Sequence, residues 1–112
     1  MTTAAEVNSA VERLIRRVED WTPSRWAASS GIAGSAVHEL AQRLADLEAV
    51  VTGRADRPVP RLANDLALVD QLRVLTDDLV LAEPPPDVFA SAVEAVADTD
   101  ARLDELTGAR PA

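Results

Sequence analysis

The chain has 112 residues, of which 47% are hydrophobic and 27% charged, with a formal net charge of −8. That length suits a single domain able to bury a core without staples. The lack of cysteine excludes disulfides, thiolate catalysis and cysteine-ligated zinc. Residues 1–61 carry eight arginines against eight carboxylates, and residues 62–112 carry three against eleven, so the second half holds the whole negative charge. Affinity for phosphate backbones requires a basic surface, so no nucleic-acid partner is expected.

Trp21, Trp26 and Phe89 are the only aromatic residues, so the core must be built from Leu, Val and Ala. No apolar run approaches the ~20 residues needed to span a bilayer. The start, Met1 to Glu6, lacks the basic and apolar regions of a secretory signal, so no membrane association and a cytoplasmic location are expected.

The first long helix is predicted from Ala4 to Trp21, because Val7, Val11, Leu14, Val18 and Trp21 recur at steps of four and three. Thr2 or Thr3 is placed to cap it. Thr22-Pro23 then stops this helix and starts a short extra turn from Pro23 to Ser29, with Thr22 as its cap and Arg25 and Trp26 on it. The second long helix is predicted from Ser35 to Thr52 on the stripe Val37, Leu40, Leu44, Leu47 and Val51, with Gly53 as its stop. Residues 53–61, with Pro58 and Pro60, read as an extended loop.

The third long helix is predicted from Leu62 to Ala82. Leu68, Leu72, Leu75, Leu79 and Ala82 form its stripe, and Leu62, Leu66, Val69, Val74, Val80 and Leu81 widen it. Such a width predicts the most buried helix, or one with a partner outside the domain. After Glu83 and three prolines, the fourth helix is predicted from Asp87 to Thr107 on Phe89, Ala92, Val96, Thr99, Leu103 and Leu106, with Gly108 and Pro111 as stop signals. The expected fold is an all-α, antiparallel four-helix bundle over residues 1–112, with the short extra turn between helices 1 and 2. Short connections between similar rods predict that consecutive helices are neighbours.

No constellation demands a particular chemistry. His38 is the sole histidine and falls on the face of its helix away from the stripe, which predicts a solvent-facing side chain. Di-iron bundles need Glu-x-x-His twice, and that motif does not occur. Asp77-Asp78 and Asp98-x-Asp100 lack the glycine turn and terminal glutamate of a calcium loop. Gly31-x-x-Gly34 lacks the lysine and preceding strand of a phosphate loop and reads as a flexible or tightly packed connection. No catalytic, cofactor-binding or metal residue is therefore proposed from the sequence, and no cofactor.

Candidate contact residues are Trp21, Arg25 and Trp26, since Trp and Arg dominate interface hot spots, and Arg54, Arg57 and Arg61 around a Pro-x-Pro element. Trp21 is expected in the core, and Trp26 as a plug with its indole N–H bonded nearby. The expected function is a non-enzymatic module acting through protein–protein contacts, as a homo-oligomer or with a partner helix. The alternative is a regulatory bundle with a small-molecule pocket near Trp21, Arg25 and Trp26.

Overall fold

Thr3 opens the first helix as expected, its hydroxyl accepting the Glu6 N–H at 3.3 Å. The computed structural model describes residues 1–107, and among these it contains five α-helices and no strand: α1 (Ala4–Val18), α2 (Pro23–Ala27), α3 (Ile32–Thr52), α4 (Leu68–Leu81) and α5 (Pro86–Thr107). The proposed stop signals Gly108 and Pro111 lie outside the described residues. Thr22 caps α2 through the Arg25 N–H with Pro23 in the first turn, and Gly53, at φ 73°, closes α3 in the left-handed conformation.

The apolar stripes meet in one core. Val7, Val11, Leu14, Ile15 and Val18 of α1 pack with Val37, Leu40 and Leu44 of α3, Leu68, Leu72 and Leu79 of α4, and Phe89, Ala92, Val96 and Leu103 of α5. The alanine-rich stripe of α5 is buried throughout from Phe89 to Leu103, because small residues let that helix approach closely. Its one polar member, Thr99, is satisfied locally: its hydroxyl donates to the Ala95 carbonyl at 2.9 Å. Arg17 of α1 reaches α5 through Asp104 at 2.7 Å and Asp100 at 3.4 Å. Burial pushes the Asp100 carboxyl up, and the Arg17 charge opposes that shift.

Two expectations fail here. Of the consecutive pairs of long helices only α3 and α4 are neighbours: α1 and α3 hardly touch, and α4 and α5 each pack on α1 and α3 instead of on each other. For α4 and α5 the connection is informative. Glu83 sits at φ 50°, Pro84 and Pro85 have fixed φ and no N–H with which to close a turn, and Pro86 already opens α5. A tight reversal is thereby disfavoured. Nor does the third long helix begin at Leu62. Asn64 turns the chain first, its side chain accepting the Leu66 N–H at 2.9 Å, and a 3₁₀ turn over Asp65–Ala67 leads into α4.

The consequence is that α4 is not the most buried helix. Leu68, Val69, Leu72, Thr76 and Leu79 face inward, but Leu62, Leu66, Val74 and Leu81 are exposed by 46%, 41%, 57% and 78%. The most enclosed position belongs to α3, which packs on α2, α4 and α5.

These orientations predict a sharp contrast within α4. Leu72→Ala should cost about 2–5 kcal/mol in denaturant unfolding. Val74→Ala, nearly opposite on the same helix, should stay within about 0.5 kcal/mol of the parent.

Candidate functional site

The connection between α3 and α4 runs back along both helices and is held by side chains. Pro58 and Pro60 have no N–H, so Val59 offers the only backbone donor of the three residues. Gln42 Oε1 accepts that N–H at 2.7 Å, and His38 Nε2 lies 2.7 Å from the Val59 carbonyl oxygen. The other end of the Gln42 amide donates to the Arg57 carbonyl at 3.0 Å, and Gln71 of α4 donates to the Pro60 carbonyl at 3.0 Å. His38 is therefore half-buried and structural, not solvent-facing. Helical geometry placed it on the outer face correctly, but the returning loop covers that face.

Arg61 anchors the far end of the strap. It forms a two-pronged pair with Asp65 at 2.9 and 3.1 Å and reaches the Ser35 hydroxyl at 3.3 Å. Hydrogen bonding to Asp65 raises the Arg61 pKa further above its usual value. Gly34 explains how this pair lies so close to α3: a Cβ there would sit 2.5 Å from Asp65 Oδ2 and 2.6 Å from Arg61 Nη2. Of the two glycines only Gly34 is a close-approach site, whereas Gly31 is open and serves the turn with φ 77°, so the tightly packed alternative holds at the start of α3.

The strap and α4 together enclose an open groove of about 530 Å³. Val59, Leu62, Val74 and Leu75 give it an apolar lining together with Ala45 and Ala67, and Arg57 and Asp70 are its charged lining residues. Gln71 also lines it, with a buried Oε1 that finds no donor among the described residues.

The three loop arginines part company. Arg54 pairs with Glu48 at 2.7 Å and Arg61 with Asp65, so neither offers a free charge. Arg57 alone lines the groove. Sequence reasoning picked this loop for its charge. Leu62 and Val74 read as excess helix width; their place in one groove with this loop is not legible from spacing.

The tryptophans sit elsewhere. Trp26 is the buried one, 2% exposed, whereas Trp21 is half-buried. Their rings meet edge to face with centroids 4.9 Å apart, and the Arg25 guanidinium stacks 4.9 Å from the Trp21 centroid. The Trp26 indole N–H, expected to be bonded, has no acceptor among the described residues. A cavity of about 180 Å³ lies beside them, lined by Trp21, Arg25, Ala28, Ser29, Ala33 and Leu106. Ligand pockets run from about 300 Å³ upward, so this one admits only a few heavy atoms. Ser29 and Ser30, at φ 56° and 59°, carry left-handed strain at its edge.

Among the described residues no group of three or more His, Asp or Glu side chains converges as a metal site, and no helix is long and apolar enough to cross a membrane.

Gln42→Ala should release the strap. The Val59 amide should lose its hydrogen-exchange protection, with a stability loss of about 1–2 kcal/mol, while core amides of α1 keep theirs.

No family model matches this chain, and no curated protein or solved structure matches it.

Proposed function

We propose that the chain is a non-enzymatic interaction module built as an antiparallel four-helix bundle, and that the groove between the strap and α4 seats an apolar segment of a protein partner. One observation carries this reading: Leu62 and Val74 are about half exposed and line the same mainly apolar groove. Exposed apolar surface that is contiguous, concave and rimmed by polar groups marks contact sites on proteins. The mode that fits is helix-in-groove, in which residues spaced by three, four and seven enter an apolar channel.

Titration of isotope-labelled protein with a neutral amphipathic helical peptide tests it. Amide shifts should saturate at Val59, Leu62 and Val74 below about 1 mM. Val74→Asp should abolish them without changing the helical circular dichroism. Absence of any shift in that range would sink the reading.

The second reading, a small-ligand regulator, is favoured by the cavity that Trp21 and Arg25 line together, although Trp26 itself does not line it. A ligand of only a few heavy atoms, screened by tryptophan fluorescence, should give a saturable change that Arg25→Ala removes. A flat response across such ligands would end it.

A further inference from the structure

The outward face of α4 carries more than the groove. At about 100° per residue, Val74 and Leu81 fall within about 20° of one another, two turns apart on one meridian. Asp70, Asp77 and Asp78 fall within about 60° of that line, on both sides of it. All five side chains are exposed. Among the described residues no cation pairs with any of the three carboxylates, a state they share with other exposed acids such as Glu94 and Asp98, but only these three flank exposed large apolar side chains on one helix face. Two of the three are also badly placed for their own helix. Asp77 and Asp78 lie near the C-terminal end of α4, where the helix dipole favours cations, and the last turn holds no basic residue. An apolar stripe flanked by uncompensated negative charge is complementary to an apolar stripe flanked by positive charge.

We infer that the α4 groove receives an amphipathic helix of another protein whose apolar face is flanked by lysine or arginine. This rests on the interaction-module reading and names the partner's chemistry. A second copy of the chain fits poorly: each carries a net charge of −8, and pairing of the α4 faces would set Asp70, Asp77 and Asp78 of both copies together. An anionic lipid surface is repelled by the same carboxylates. On binding, the partner's apolar residues cover Val74, Leu81 and Leu62, and its cations meet the three carboxylates. Arg57, the one cation that lines the groove among the described residues, disfavours orientations that bring the basic flank against it.

The test uses three synthetic helical peptides with the same leucines at i, i+4 and i+7, flanked by lysine, glutamine or glutamate. The full chain should bind the lysine peptide about tenfold more tightly than the glutamate peptide, as three rim pairs imply. That preference should fade at about 1 M salt, where screening is short-ranged. The triple variant Asp70→Lys, Asp77→Lys, Asp78→Lys alters only exposed, unpaired side chains and should reverse the order. Equal binding of all three peptides, or an unchanged order in the triple variant, overturns the basic-helix inference and leaves the groove as a docking site. Binding by none of them removes the groove reading itself. Light scattering that shows a dimer broken by Val74→Asp overturns the inference in favour of a second copy.

Discussion

The grip of α3 on the peptide group of Val59 is the contact on which the site depends. A proline-flanked residue in a surface connection has no helix or sheet to satisfy its backbone, yet Val59 packs against the core. Gln42 takes its N–H and His38 meets its carbonyl, each at 2.7 Å. With both polar groups paired, the Val59 side chain can be half-buried at little polar cost. The strap is thereby pinned along α3, and its outer edge becomes one wall of the groove. Gln71 does the same for Pro60 from the α4 side. Without these bonds residues 54–64 would be an ordinary exposed loop, and Leu62 would have no apolar neighbours to share a floor with.

The other wall is a helix with two characters. The inner face of α4 is a closed core surface, on which Thr76 satisfies its hydroxyl by donating to the Leu72 carbonyl at 2.7 Å. The outer face breaks several local rules at once: large apolar side chains in water, carboxylates without cations, and acids near the negative end of the helix dipole. Any one of these is common on a protein surface. Their coincidence on one meridian, next to a groove held open by a hydrogen-bonded strap, is where local optimisation yields to something other than the stability of this chain.

The tryptophan end shows a milder conflict. Trp26 gives the core its largest fully buried side chain, and its indole N–H goes unpaired among the described residues. Trp21 closes over it edge to face, and Arg25 covers Trp21 in turn. The stack seals the end of the core with aromatic area, and the apolar gain of burying an indole outweighs one lost hydrogen bond. Little space is left beside it, which is why the residues that looked most like a binding site in the sequence frame only a small cavity.

Much of the fold was legible from residue spacing. Heptad steps, the Thr3 and Thr22 caps, the Gly53 stop and the proline breaks are local signals, and each acts through backbone geometry within one turn of its residue. They determined the all-helical class, the order of the helices and most of the core residues, but not the start of α4. Long-range placement was not legible, because it depends on where a segment returns in space. Nothing local says that residues 57–61 fold back over His38, that Gly34 makes room for Arg61 and Asp65, or that α4 and α5 stay apart and pack on α1 and α3. The excess apolar width of the third long helix was visible from the start. Only the tertiary structure decided that this excess faces outward, since α4 is closed on one side by α1 and α3 and the strap covers no more than part of the other.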